Sequence, residues 1–162
     1  MINKIYLDLD GVVTDFVKRY TEIFDDDPVE ARKNKRGSQN WTDFVHGKHF
    51  ELLDYHEGAL ELLQYLEETG IEVEILSSSG GEKYHEIVEQ QKINWLNARN
   101  ISHKVNIVSG RRKKALFANE NSILIDDTPD NIVRFIDAGG HGIYHTNVNE
   151  TIEKLNSLLN SD

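Results

Sequence analysis

Two pairs of carboxylates occupy equivalent places in the sequence, each at the end of a short apolar run. Ile5-Tyr6-Leu7 leads into Asp8-Leu9-Asp10-Gly11-Val12-Val13-Thr14, and Ser122-Ile123-Leu124-Ile125 leads into Asp126-Asp127-Thr128-Pro129. Where an apolar strand stops and a glycine turns the backbone away, its last carboxylates are delivered to the carboxyl end of a sheet, which is where open parallel sheets bind ligands. Two such ends can converge. Carboxylates sharing one cleft repel by roughly 4 kcal/mol per pair at about 4 Å and an effective dielectric of about 20, so the set calls for a compensating cation. An all-oxygen donor set suits a hard divalent ion, and Mg²⁺ held by one or two carboxylates together with a substrate phosphate is the expected outcome.

Other metals fit less well. An EF-hand calcium loop needs a third oxygen ligand and a twelfth-position Glu, whereas Val12 stands where the third ligand should be and the twelfth residue counted from Asp8 is Arg19. With no cysteine in the chain, disulfides, zinc-thiolate sites and iron-sulfur clusters are excluded. His46 with His49, and His141 with His145, have no acidic partner at zinc-ligand spacing, and His141 and His145, bracketing the fifth strand, read as loop residues.

Two further segments suit a phosphate. The apolar run Ile71 to Leu76 ends in Ser77-Ser78-Ser79-Gly80-Gly81, whose hydroxyls and backbone N–H groups can hold phosphoryl oxygens. The basic cluster Arg111-Arg112-Lys113-Lys114 is mostly a solvated face, but one lysine from it can reach the cleft as a point charge.

Apolar runs at residues 5–7, 71–76, 105–108, 123–125 and 143–144 read as five strands. Helical periodicity is expected over residues 15–24, 58–68, 84–97, 113–118, 129–136 and 149–159, with Gly70 at a helix end and Pro129 in a first turn. Strand and helix alternate, which predicts an α/β fold: a three-layer Rossmann-like parallel sheet with helices on both faces. The alternation is interrupted once. About forty residues separate the first strand from the helix at Gly58, far more than a crossover needs, and they carry Asp25-Asp26-Asp27-Pro28, the basic run at residues 32–36, and the aromatics Trp41, Phe44, Phe50 and Tyr55. Residues 15–56 are therefore expected to form a small cap inserted after the first strand. Phe16, Trp41, Phe44 and Phe50 are candidates to stack on a base, against the plainer reading that they pack the insertion's own core.

The chain of 162 residues, 38% apolar, is the length of a single domain. No run of about twenty apolar residues is present to span a bilayer, so no membrane partner is expected. A formal net charge of −10 argues against a nucleic-acid polymer as partner, because such binding is mostly phosphate neutralisation by Lys and Arg. The N-terminal residues carry no charged-then-apolar leader, from which a cytoplasmic location is expected. A homodimer is allowed by the sequence but not indicated.

Taken in order, Asp8-Leu9-Asp10-Gly11-Val12-Val13-Thr14, Ser77, a lysine at 113 or 114, and Asp126-Asp127 resemble the four motifs of the haloacid dehalogenase superfamily of phosphohydrolases, over residues 3 to about 146. Asp15-Phe16, Gly58-Ala59, Glu82-Lys83-Tyr84, Lys92 with Trp95, and Pro129 make the chain most similar to the 5′(3′)-deoxyribonucleotidase branch and its phage and bacterial relatives. The resemblance implies that Asp8 attacks phosphorus to form an aspartyl-phosphate, and that Asp10 protonates the leaving oxygen and then deprotonates water. It implies Mg²⁺ bound by the Asp8 carboxylate, the Asp10 carbonyl and the last motif, with Asp127 favoured as direct ligand and Asp126 as support. Ser77 and Lys114, with Lys113 as the alternative, would hold phosphoryl oxygens together with Ser78 and backbone N–H groups near Leu9 and Asp10. Phe16 and Trp41 would bind the rest of a small phosphorylated substrate, a nucleoside monophosphate being favoured. A sugar phosphate substrate and a noncatalytic binding module are the competing readings. The spacing from the basic cluster to Asp126 is longer than in the close deoxyribonucleotidases, which leaves the lysine register open.

Overall fold

The computed structural model describes residues 1–161. Five strands, β1 (Lys4–Leu7), β2 (Glu72–Ser78), β3 (Lys104–Val108), β4 (Ser122–Asp126) and β5 (His141–Tyr144), form one sheet in the order β3-β2-β1-β4-β5. Every pairing is parallel, as the alternation predicts. β1 lies at the centre, flanked by the two strands that end in serines and in carboxylates.

Among the described residues seven α-helices are formed: α1 (Phe16–Phe24), α2 (Pro28–Ala31) and α3 (Arg36–His46) in the long connection after β1, and α4 (Ala59–Glu68), α5 (His85–Ala98), α6 (Pro129–Asp137) and α7 (Val148–Leu159) against the sheet. Side-chain alternation splits the core in two. Ile5, Leu7, Ile75, Ile123 and Ile125 pack with Leu62 and Leu66 of α4, Val88, Trp95 and Leu96 of α5, and Leu155 of α7. Tyr6, Leu76 and Leu124 point the other way, against Ile132 and Phe135 of α6 and against Phe117. The segment expected as a helix at 113–118 is instead a 3-10 helix, Arg111–Phe117. Its turns close through i→i+3 bonds, among them Lys113 N–H to the Gly110 carbonyl at 2.9 Å and Ala118 N–H to the Ala115 carbonyl at 3.2 Å.

Local signals account for several boundaries. Asp15 caps α1, its carboxylate accepting the Lys18 N–H at 3.1 Å. Gly70, with φ +70°, follows α4 in the left-handed conformation that ends helices. Pro129 opens α6, where its missing N–H costs nothing.

The long connection after β1 folds as α1, α2, α3 and a 3-10 turn at His49–Leu52. Only its first helix shows in the sequence pattern. Phe44 and Phe50 are fully buried, and their rings sit 5.1 and 5.8 Å from that of Phe16. α5 ties the end of this segment down. Gln91 Nε2 donates to the Val45 carbonyl at 2.7 Å, and Trp95 Nε1 donates to the Leu53 carbonyl at 2.8 Å. Among the described residues no helix is long and apolar enough to cross a membrane.

Candidate active site at the carboxyl end of the sheet

The register of the sheet assembles the acidic groups. β1 and β4 are parallel neighbours with Leu7 opposite Ile125, so the next residues along, Asp8 and Asp126, emerge side by side. The Asp8 N–H continues the ladder to the Ile125 carbonyl at 3.0 Å. Tyr6 and Leu124 face α6, and Asp8 and Asp126, two residues further on, face the same way.

On that face the 3-10 helix inserts Lys114, which is 3% exposed. Its ammonium donates to Asp8 Oδ1 at 2.8 Å and to Asp126 Oδ2 at 2.7 Å. Burial alone would lower the Lys114 ammonium, but the charges of Asp8 and Asp126 more than reverse this and hold it raised. Its neighbour Lys113 turns outward to Glu82 and Ser109. Asp126 is fully buried and saturated: Oδ1 accepts from the Thr128 N–H at 2.9 Å, and Oδ2 accepts from Asn131 at 3.1 Å as well as from Lys114.

Asp8, Asp126 and Asp127 each offer an oxygen within 4.8 Å of the others'. One lysine against three carboxylates leaves an uncompensated negative charge, which disfavours ionisation of the acids around it. Burial first, and then the charge of Asp126, push Asp8 well above the ordinary carboxylate range. Burial, followed by Asp126 and Asp10, pushes Asp127 up to about 6. Gly11, with φ +87°, passes directly over Asp127, so a Cβ there would lie 1.8 Å from Asp127 Oδ2. The turn after β1 can close on this carboxylate only because residue 11 has no side chain. This all-oxygen donor set with an excess of negative charge fits a hard divalent cation.

On the opposite face of the sheet Ser77, which alternates with Ile75, points toward α5. There Lys92, buried on the helix stripe between Val88 and Trp95, donates to Ser77 Oγ at 2.7 Å, to the Ser78 carbonyl at 3.1 Å and to Asp10 Oδ2 at 2.9 Å. Thr14 Oγ1 donates to the other oxygen of Asp10 at 2.8 Å. Ser78 Oγ accepts the Gly80 N–H at 3.0 Å, which folds the serine loop over. Leu9 is packed in the core by its side chain, so it has only its backbone to offer a ligand.

Phe16 and Trp41 are half-buried, with ring centroids 6.2 Å apart, and Trp41 lies so close to Gly80 that a Cβ there would be 2.8 Å from its ring. They border the serine loop. Phe44 and Phe50 are buried in the same core cluster as Ile5, Leu7 and Trp95, so they pack the interior, and that interior is shared with the sheet rather than the insertion's own. His145, beyond β5, is buried against Thr151 Oγ1 at 2.7 Å rather than lying in an open loop.

Lys92, Thr14 and Asn131 have no place among the expected site residues. A signal for Lys92 was present: it is a lone charge at i+4 from Val88 and i−3 from Trp95, on a stripe otherwise committed to the core.

A family model described as "5' nucleotidase, deoxy (Pyrimidine), cytosolic type C protein" (NT5C) matches residues 1–157. The chain belongs to this family. It is a phosphatase of the haloacid dehalogenase type. Among solved structures it is similar to a haloacid dehalogenase-like family hydrolase from Xanthomonas campestris, with a TM-score of 0.65 at 11% identity over 97% of this chain and 91% of that one. A HAD family hydrolase from Deinococcus radiodurans R1, with bound phosphate and sodium, matches with a TM-score of 0.59 at 13% identity over 95% and 88% of the two chains. A HAD-superfamily hydrolase from Ehrlichia chaffeensis gives 0.57 at 12% identity, covering 98% of each. At such identities the likeness is one of fold. No curated protein matches the sequence.

Proposed function

We propose that the chain is a Mg²⁺-dependent phosphomonoesterase acting on nucleoside monophosphates, deoxyribonucleotides foremost, in the cytoplasm, by way of a phosphorylated Asp8. The observation that carries this reading is the meeting of Asp8, Asp126 and Asp127 within 4.8 Å beside the buried Lys114. The family's description supports the nucleotide and the compartment.

In the first step a bond forms between an Asp8 carboxylate oxygen and phosphorus while the ester P–O bond breaks, and Asp10 gives its proton to the departing oxygen. In the second, water attacks the same phosphorus, Asp10 takes up its proton, and the acyl-phosphate bond opens to return the Asp8 carboxylate and release inorganic phosphate. Lys114 fixes Asp8 through Oδ1, and its charge opposes the burial and the neighbouring carboxylate that raise Asp8; a bound Mg²⁺ would add to it in favouring the ionised, nucleophilic form. Thr14 and Lys92 hold the carboxyl of Asp10 from both sides. Asp8, Asp127 and the Asp10 carbonyl would hold Mg²⁺, with Asp126 orienting Lys114 behind them. The bound ion supplies charge neutralisation to a phosphoryl group whose transition state spreads negative charge over three oxygens. Ser77 and the serine-loop N–H groups would take up the remaining phosphoryl oxygens. Residues 15–56 act as a cap that excludes water and, through Phe16 and Trp41, chooses the group carrying the phosphate.

The test is phosphate release from a panel of deoxy- and ribonucleoside monophosphates, sugar phosphates and 4-nitrophenyl phosphate, with Mg²⁺ and with a chelator. Preference for deoxynucleotides, with Mg²⁺ required, is the expected result. A preference for sugar phosphates would overturn the substrate, and the absence of any release would overturn the catalytic reading.

A further inference from the structure

An ammonium group donates three hydrogen bonds and accepts none, and Lys92 spends all three: on Asp10 Oδ2, Ser77 Oγ and the Ser78 carbonyl. Two consequences follow from that inventory. Ser77 Oγ is compelled to accept, so its own proton is free for a different acceptor, and among the described residues its hydroxyl makes no second hydrogen bond. Asp10 has one oxygen tied to Lys92 and the other to Thr14, which locks the plane of its carboxyl group. The lysine is 3% exposed, with its ammonium 5.0 Å from the centre of the Phe50 ring, so it has no freedom to swing out to solvent.

We infer that Lys92 is a positioning residue of the reaction: from α5 it aims the Asp10 carboxyl at the leaving oxygen and turns the Ser77 hydroxyl proton toward the phosphoryl group. The inference rests on the assignment of Asp10 as proton donor given above and extends it to a residue outside the four motifs. Because α5 also holds the inserted segment through Gln91 and Trp95, the same helix aligns the proton donor and anchors the cap.

A residue that merely supports the fold would slow all substrates alike. One that aims a proton donor matters in proportion to how badly the leaving group needs a proton. The experiment compares kcat/KM, which reports the phosphorylation half of the cycle, for phenyl phosphate and 4-nitrophenyl phosphate in the wild-type protein and in Lys92→Met. The expected loss is about 100-fold or more for phenyl phosphate and at least tenfold smaller for 4-nitrophenyl phosphate, whose leaving group departs without help. Equal losses on both substrates would overturn the inference. Should Lys92→Met fail to fold, Lys92→Gln, which keeps a donor and the approximate length, carries the same comparison. If the wild-type protein releases phosphate from neither compound nor from any nucleotide, it is the phosphatase reading that fails, and the two failures are thus distinct.

Discussion

Lys114 and Lys92 reach the carboxyl end of the sheet from opposite faces, and each bridges two site residues: Asp8 with Asp126, and Asp10 with Ser77. The central strand β1 supplies a carboxylate to each. Two residues apart, Asp8 and Asp10 would share one face of a continued strand; the turn after β1 carries Asp10 across to Lys92 instead, so each face contributes the cation that orients its own carboxylate. The two lysines are therefore not interchangeable with the basic residues around them.

Removing the buried cation should show this. Lys114→Met leaves Asp8 and Asp126 facing each other without compensation, and a loss of about 3 kcal/mol or more in stability is expected together with loss of phosphatase activity. Lys113→Ala, at a solvent-facing ion pair, should stay within about 0.5 kcal/mol and about twofold in activity. Denaturation midpoints and phosphate release on the two variants check this, and the reverse ranking would contradict it.

Metal affinity should depend on pH in a defined direction. Asp127, pushed up to about 6, carries a proton in the folded, metal-free protein below that pH. Between about pH 4 and 6 the folded state thus binds more protons than the unfolded one, so this group's contribution to stability falls as pH rises through that window. Mg²⁺ must displace the proton, so its apparent affinity is expected to weaken by at least about tenfold per unit as pH falls below 6, the raised Asp8 adding to the loss. Calorimetric titration at pH 5, 6 and 7.5 measures it, and an affinity independent of pH would contradict the role of Asp127.

Gly11→Ala places a methyl group inside the Asp127 carboxylate and asks an L-residue to adopt φ +87°. The expected outcome is at least about a tenfold loss of Mg²⁺ affinity and of activity, because the turn after β1 must lift off the acidic cluster. Wild-type affinity in this variant would show that the close approach is not required.

Within the insertion, burial separates two aromatic roles. Phe44→Ala should cost about 3–5 kcal/mol, since its ring is wholly inside. Trp41→Ala, at a half-buried ring beside Gly80, should cost less stability and instead raise KM for nucleotides while sparing 4-nitrophenyl phosphate. Equal KM changes for both substrates would remove Trp41 from substrate choice.

The sheet was readable from sequence because buried parallel strands appear as short unbroken apolar runs, and β1 and β4 each end in acids that mark the functional edge. The family was readable because its motifs occur in order along the chain. The insertion was not. α2 is a single turn, and α3 is a mostly polar helix that buries only Phe44 and Val45, Phe44 packing against Phe16, Tyr20 and Phe24 of α1, so neither stands out as an apolar run. In the sequence Lys92 stands out only as one of the residues that support the resemblance, because the contact that gives it meaning joins positions 82 residues apart. The choice between Lys113 and Lys114 turns on the 3-10 helix, whose tighter turn decides which of two adjacent lysines points inward, a distinction no spacing argument makes.

In the mechanism proposed, Asp8 becomes phosphorylated during turnover. Quenching the protein on substrate with borohydride, which reduces an aspartyl-phosphate to homoserine, followed by peptide mass spectrometry reads this directly. Homoserine at position 8, dependent on substrate and absent from Asp8→Asn, is the expected result. Undiminished turnover by Asp8→Asn, or trapping at another carboxylate, would contradict it.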